Sequence, residues 1–477
     1  MIIRTPRAAV ALGAGLAAAA LVVALSSPAM AATPHTPPAP HGPVAPQKTS
    51  HVLGQAKLFV AAPSSDAVKQ TIQLAAHHDT TDAIALAKVL ATPQAVWLDG
   101  GTPAQVRKTV QRTIAAATVE RTVPVFVAYN IPGRDCDQYS AGGATDTASY
   151  EAWIAAIAAG IGNAKAGILV EPDSLGLIPS DCIATHGLTT AEYPFTDADR
   201  YAQLNYAVQT LEAKPNTSVY LDATHPAWEN VGDISSRLIS GGVNNAQGFF
   251  VNVSNYQYTV NDVDYGTWIS DCIALVNAGE TTAANCYNQY WNGGPNTGWN
   301  GVALDDYSPW QSTDPSQLST YAGDITLKYD NDLASAGVTP TAHFVVDTSR
   351  NGTGPNDMSA YAAAPYDQST ATISALVSGN WCNPPGAGLG LTPTTRTGNP
   401  LVDAYLWVKT PGESDGQCDS AGGARAWDYG AYTQPGWPTD ASSQALFDPL
   451  WGQVDPAAGA WFPAQMLDLI RHANPAL

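Results

Sequence analysis

Positive charge is scarce in this chain. Its 477 residues carry 21 Lys and Arg against 41 Asp and Glu, a formal charge of -20. A surface this acidic repels phosphate backbones and anionic lipid, which argues against nucleic acid and membrane surfaces as partners. Charge of either sign is sparse at 13%, while apolar residues make up 45%. Such a chain buries a large core and is not disordered. Cysteines number only six, and none stands in a C-x-x-C pair, so neither a zinc site nor another cofactor is expected. No H-E-x-x-H motif occurs, which counts against a zinc protease. Beyond residue 25 no run is long and apolar enough to cross a bilayer. What is abundant is tryptophan and tyrosine, 13 and 20 against 8 Phe. Together with the surplus carboxylates they suit a neutral, hydroxyl-rich ligand. The length admits about three domains of ~150 residues, or one α/β barrel with long loops.

The first residues read as an address. Arg4 and Arg7 precede an apolar run from Ala8 to Leu25, and Ala29-Met30-Ala31 forms an A-x-A cleavage pattern. Residues 1–31 are therefore expected to be a secretory signal peptide, and the product to be extracellular. Residues 32–50 form a Pro-rich tether. Residues 51–477 are expected as one domain with a long insertion at about 256–340, and as a monomer. Six cysteines in an exported protein read as three disulfides. Sequence alone allows many pairings; neighbour pairing, Cys136–Cys182, Cys272–Cys286 and Cys382–Cys418, is the expectation.

Short β-branched runs alternate with helical stretches. Strands are predicted at Ala95–Leu98, Val123–Tyr129, Gly167–Val170, Ser218–Leu221, Gly248–Val253, His343–Val346 and Ala404–Val408. Val123–Tyr129 is apolar throughout, as in a parallel sheet buried on both faces. Helices are predicted from Thr102, which caps with Pro103 at the first position, and over about 147–161 and 197–213. The fold class is α/β, and right-handed crossovers could close it into a parallel barrel.

Acids recur just after these strands: Asp135, Asp173, Asp222, Glu413 and Asp415. In parallel barrels the carboxyl ends of the strands share the face that holds the active site. One such Asp is usually a cap or turn former; five are harder to dismiss. Crowded carboxylates raise each other's proton affinity, which suits a general acid. Several acids, no metal ligand set and abundant Trp point to glycosidic bond hydrolysis by a carboxyl pair.

At these residues the sequence resembles a known family. Tyr129-Asn130-Ile131-Pro132-Gly133-Arg134-Asp135-Cys136, Glu171-Pro172-Asp173-Ser174-Leu175 and Trp407-Val408-Lys409-Thr410-Pro411-Gly412-Glu413-Ser414-Asp415-Gly416 resemble signature blocks of glycoside hydrolase family 6. Asp347-Thr348-Ser349-Arg350-Asn351-Gly352 and Trp381-Cys382-Asn383-Pro384 match in order. The resemblance covers about residues 55 to 475. It implies a secreted cellulase that cleaves β-1,4-glucan with inversion, on a distorted barrel of fewer than eight strands with its cleft at the carboxyl ends. It implies Asp173 as general acid, Asp135 as the neighbour that raises its pKa, and Asp415 as the base, direct or through water. Asp222 would support charge at the sugar ring, and Tyr129 would press on the distorted ring. Lys409 and Glu413 would bind glucose units; Trp97, Trp228 and Trp381 would be stacking platforms. The family also supports disulfides 136–182 and 382–418. Two departures stand out. The family often has Asp-Ala-Gly-His where this chain has Asp222-Ala223-Thr224-His225. Some members carry a second Trp where this chain has Val231.

Among the remaining residues, His225 is expected as a prop or sugar contact, and Asn255 as a substrate contact. Asp347 and Arg350 form either an ion pair or substrate contacts. The aromatics between Tyr256 and Trp310 form either a local core or a roof over the cleft. Glu171 is expected as a structural acceptor. A non-catalytic polysaccharide binder would not need Asp173, Asp135 and Asp415 together. The short step from Asp415 to Cys418 favours endo attack. The 256–340 insertion and Gly459-Ala460-Trp461-Phe462-Pro463 favour exo attack, and the balance leans to endo.

Overall fold

The computed structural model describes residues 52–290 and 303–477; the expected signal peptide and tether lie outside the described residues. Seven strands, β1 (Val96–Leu98), β2 (Val125–Ala128), β3 (Ala166–Val170), β4 (Thr217–Asp222), β5 (Gly248–Val251), β6 (His343–Asp347) and β7 (Val402–Leu406), form one sheet in chain order. Every neighbouring pair is parallel. At the two edges, Ala95 N donates to Trp407 O at 3.0 Å, and Trp97 Nε1 to Val408 O at 2.8 Å. The sheet therefore curls until β1 and β7 touch, a distorted parallel barrel with fewer than eight strands.

The helices are α1 (Ser65–Ala76), α2 (Thr80–Leu90), α3 (Pro103–Glu120), α4 (Thr147–Ile161), α5 (Pro179–His186), α6 (Asp197–Glu212), α7 (Val231–Gly241), α8 (Thr259–Ala278), α9 (Gly323–Ala336), α10 (Thr370–Ser378), α11 (Ala441–Leu446) and α12 (Pro463–Arg471). Local chemistry starts several of them. Thr102 caps α3 reciprocally with Gln105, Thr196 does the same for α6 with Asp199, and Asp146 caps α4. Two apolar layers result. Phe126, Ile168, Val219, Phe249 and Phe344 face the helices and pack with Trp153, Leu204, Leu238 and Trp268. Val125, Val127, Leu169, Phe250, Val345 and Leu406 fill the barrel interior. Strands that bury both faces need continuous apolar runs, and these have them.

The stretch 256–340 differs from the irregular insertion expected. It holds α8 and α9, which form the crossover between β5 and β6. Its aromatics Tyr265, Trp268, Trp310 and Tyr329 are buried, with Trp268 and Trp310 stacked at 5.5 Å. These four are core, whereas Tyr290 is 40% exposed; residues 291–302, with Trp291 and Trp299, lie outside the described residues. β5 stops at Val251 rather than Val253 because Asn252 and Ser254 take left-handed φ of 67° and 61°, which ends ladder pairing. β7 stops at Leu406 because Val408 N and Lys409 N turn to the Asp347 carboxylate. All three expected disulfides are present: Cys136–Cys182, Cys272–Cys286 and Cys382–Cys418. Among the described residues no helix is long and apolar enough to cross a membrane.

Candidate active site

Backbone strain marks one face of the barrel. Asp135, Cys136, Glu171, Asp173, Thr224, Asn252 and Ser254 all carry positive φ, and all lie just beyond the carboxyl ends of β2 to β5. Non-glycine residues persist in that region only where their surroundings hold them, and such positions gather at functional sites.

Four of the sequence-predicted acids meet here. Asp173 is half-buried on the turn after β3. Burial, then the negative charges of Asp222, Asp135 and Asp415, push its carboxyl well above the usual range, with Lys409 opposing. Asp222, at the end of β4, is buried. It accepts hydrogen bonds from Thr224 N at 3.2 Å and Leu175 N at 3.3 Å; burial raises it to about 6 against these bonds. Asp135 Oδ2 accepts from Ser140 N at 2.6 Å. Asp415 is the opposite of Asp173. Burial would raise it, but Arg350 and Lys409 override burial and hold it at about 2. Its Oδ2 accepts from Arg350 Nη1 at 2.8 Å, Tyr256 OH at 2.9 Å and Asn383 N at 3.0 Å. Lys409 Nζ stands 3.3 Å from Oδ1.

Two other acids hold loops. Glu171 Oε2 accepts from Asn130 N at 2.8 Å and Ile131 N at 2.9 Å, as expected of a structural acceptor. Asp347 accepts from Ser349, Val408, Lys409 and Ser254 backbone N–H groups. It ties the ends of β5, β6 and β7 together. Arg350, one of whose expected partners was Asp347, pairs instead with Asp415. The four backbone donors already saturate Asp347, whereas Asp415 stands 65 residues on with room for a guanidinium.

The aromatic candidates spread along the same face. Tyr129 is buried, with Trp97 edge-on at 5.4 Å and the Arg134 guanidinium 4.4 Å above its ring. Burial, then Asp173 and Asp135, push its hydroxyl up. Trp228 is half-buried, 5.7 Å from the His225 ring. His225 Nδ1 is sealed from solvent with no hydrogen-bond partner among the described residues, and burial lowers it to about 3, so it is neutral. Trp381 is 36% exposed and lies 5.9 Å from the Tyr139 ring. Glu413 is half-buried and raised by burial, with Lys409 opposing. Asn255 is half-buried after β5, and its amide donates to Val253 O at 3.3 Å.

The sequence profile of the glycosyl hydrolases family 6 matches residues 53–473. This chain belongs to that family. Endoglucanase A of Thermobispora bispora is 29% identical over 360 residues, 75% of this chain and 58% of that protein. A probable 1,4-beta-D-glucan cellobiohydrolase C of Aspergillus terreus is 30% identical over 417 residues, 83% of this chain and 69% of that protein. Among solved structures, the endoglucanase Cel6 from Mycobacterium tuberculosis, bound to a thio-linked cello-oligosaccharide, is similar at 29% identity and a TM-score of 0.55. The match covers 89% of this chain and 99% of that one.

In this family 6 chain some site residues carried little sequence signal. Tyr256 reaches Asp415 from the loop after β5. Asn383, at a φ of 39°, clasps Asp415 from both sides: its N–H donates to the carboxylate, and its Oδ1 accepts from Asp415 N at 2.9 Å. Its Nδ2 reaches Ser414, Gly416 and Asp455. The clues to it were its place in the block Trp381-Cys382-Asn383-Pro384 and the cysteine before it. Gly412-Glu413-Ser414-Asp415-Gly416 also spells the G-x-S-x-G pattern of serine hydrolases. Ser414 is buried and donates to Gly416 O and Pro456 O. No helix opens behind it, so it is not a nucleophile elbow. One candidate ligand atom from each of Cys418, Asp448 and Asp455 lies within 4.8 Å of the others. Cys418 is in a disulfide, and Asp448 pairs with Arg425.

Proposed function

We propose that this chain hydrolyses β-1,4-glucosidic bonds of cellulose and related β-glucans by single displacement with inversion, cutting within chains. One observation carries the reading: on a shared rim, like charge and burial keep a proton on Asp173 while cations strip it from Asp415. Carboxyls whose environments push their pKa values apart are an acid and a base in waiting. Asp173 protonates the leaving oxygen. Asp135 and Asp222 keep that proton in place beforehand, and Asp222 then faces the positive charge that grows at the ring. Asp415 is ionised at any working pH. So weak a base takes a proton from water only as the oxocarbenium-like ring makes that water acidic. Tyr129 packs against the reacting sugar, Lys409 and Glu413 bond its hydroxyls, and Trp97, Trp228 and Trp381 stack neighbouring units, with His225 and Asn255 at their margins.

Endo attack is supported by the two residues, Gly416 and Gln417, between Asp415 and Cys418, and by the exposure of Trp381. An exo-acting cellobiohydrolase draws support from a contact between the loops after β2 and β7, through Tyr139 and Asp419. Export fits the expected leader and the three disulfides, which persist in oxidising compartments. The test is the first product anomer by NMR: inversion releases the α-anomer, and an initial β-anomer would sink the mechanism.

A further inference from the structure

Behind Asp415 stand two buried acids that the proposed chemistry leaves unused, Asp448 and Asp455. They flank the turn after α11, where Asp448 N donates to Gln453 O at 2.8 Å and Gly452 N to Asp448 O at 2.8 Å. Asp448 is well supplied with donors. Arg425 Nε reaches its Oδ2 at 3.0 Å and Leu450 N its Oδ1 at 2.8 Å. The remaining Arg425 groups are engaged by the carbonyls of Gly379, Ala424, Cys382 and Asn383. Asp455 is less well served. Its Oδ2 accepts from Asn383 Nδ2 at 3.0 Å, but its Oδ1 is sealed from solvent and no donor among the described residues reaches it.

A buried acceptor left unmatched is costly. The same atom is satisfied if it carries a proton and gives it to Asp448, whose oxygens can each accept a second bond. The two carboxyls do share a side-chain hydrogen bond, which lowers Asp448 and raises Asp455. Burial, then the charge of Asp448, push Asp455 up to about 9. Burial also raises Asp448, with Arg425 opposing. Two carboxyls beside one guanidinium thus hold one proton between them. Tyr361 and Tyr429, which also feel Asp448, are pushed up to about 12 by burial first and stay neutral. Beyond Asn383 the charges are Asp415 itself with Arg350 and Lys409.

Asp455 matters for what it holds. Asn383 Oδ1 accepts from Asp415 N and from Gln465 Nε2, each at 2.9 Å. An amide can turn over, and only its neighbours decide which end faces which way. The acceptors at Nδ2, namely Ser414 Oγ, Gly416 O and Asp455 Oδ2, keep Oδ1 turned to Asp415. Ser414 and Gly416 flank Asp415 and move with it. Asp455 comes from a separate turn and supplies the fixed point.

We propose that Asp455 is a positioning residue for Asp415: a carboxyl that shares one proton with Asp448 and, through Asn383, fixes how Asp415 presents its carboxylate. The inference rests on the hydrolase reading, in which Asp415 is the base.

The test compares the wild-type full chain with Asp455→Asn and Asp455→Leu, by kinetics on cellohexaose and by thermal melts from pH 5 to pH 9. The amide is neutral throughout, accepts from Asn383 and donates to Asp448; leucine has the size and neither group. In Asp455→Leu kcat per folded molecule should fall about tenfold with KM within about twofold, while Asp455→Asn should keep the wild-type kcat. The melts read the proton. A carboxyl raised from 3.8 to about 9 in the fold withdraws stability as pH climbs between those values, and an amide does not. The midpoint gap between Asp455→Asn and the wild type should therefore widen in the variant's favour up to pH 9. Unchanged kcat in folded Asp455→Leu, or equal losses in both variants, would overturn the positioning role. A gap that stays constant with pH would overturn the shared proton. Asp455→Asn keeps the shape and both bonds, so the melts decide even where Asp455→Leu unfolds. No cleavage of cellohexaose by the wild type would overturn the hydrolase reading and the positioning role with it, and the melts would show separately whether the proton is shared.

Discussion

The two ends of the barrel use the same residue types to opposite ends. Towards the amino ends of the strands, Asp403 accepts from Tyr220 OH at 2.6 Å, His343 Nδ1 lies 2.9 Å from it, and Gln247 Nε2 donates at 3.3 Å. One acid there has several partners of complementary character. At the carboxyl ends, Asp173 has acids for neighbours, and the backbone around it is strained. The first arrangement lowers the energy of the fold. The second raises it and keeps a proton where chemistry can use it. Stability and activity should therefore separate by end.

The largest effect should come from Asp173→Ala. Loss of a general acid lowers turnover on unactivated cellulose by roughly 10²- to 10⁴-fold. The fold should not suffer. A carboxyl whose folded pKa is raised destabilises the ionised protein above its unfolded pKa, so its removal should hold or raise the thermal midpoint at pH 7. Near-normal turnover in the variant would remove Asp173 from the acid role.

Asp403→Ala should do the reverse. It strips the fully buried Tyr220 hydroxyl of its acceptor, at about 1–3 kcal/mol for each buried donor left unmatched. Urea titration should show that loss, with kcat per folded molecule unchanged. A drop in kcat without a stability change would erase the contrast between the ends.

These differences explain what could be read from the sequence. β2 was legible because VPVFVAY is apolar without interruption, and α3 because Thr102 and Pro103 mark its start. The acids were legible because strand ends are visible and a barrel brings them to one face. α8 was not: it buries residues on every side, Tyr265, Asp271, Cys272 and Leu275 among them, so no stripe betrays a helix. Arg350 was visible, but its partner across 65 residues was not. Asn383 grips Asp415 with its backbone N–H as well as its side-chain oxygen, at a left-handed φ, and a residue's identity announces neither the backbone contact nor the φ. Tyr256 and Tyr139 were two tyrosines among many.

Acid pH should separate the two carboxylates on the rim. Asp415 is held at about 2 against an ordinary 3.8. A depressed carboxyl contributes stability that is present above its unfolded pKa and is lost as pH falls through its folded one. That contribution, about 2 kcal/mol, should fade between pH 4 and pH 2, and Asp415→Asn should flatten the stability curve in that window. A curve equally steep in the variant would mean that Arg350 and Lys409 do not hold Asp415 ionised.

The smallest predicted effect is the most specific to the crowded rim. Asp222 is the largest charged contributor to the raised proton affinity of Asp173. Asp222→Asn keeps the shape and an acceptor oxygen for the backbone N–H groups of Thr224 and Leu175, but removes the charge. The acid should then lose its proton at lower pH, so the alkaline limb of the kcat profile should move down by about one pH unit. Asp403→Asn, far below the rim, should leave that limb where it is. If both variants shift it equally, the effect is a general loosening of the fold. If only Asp222→Asn does, the proton on Asp173 is held by the company of acids that the strand ends assemble.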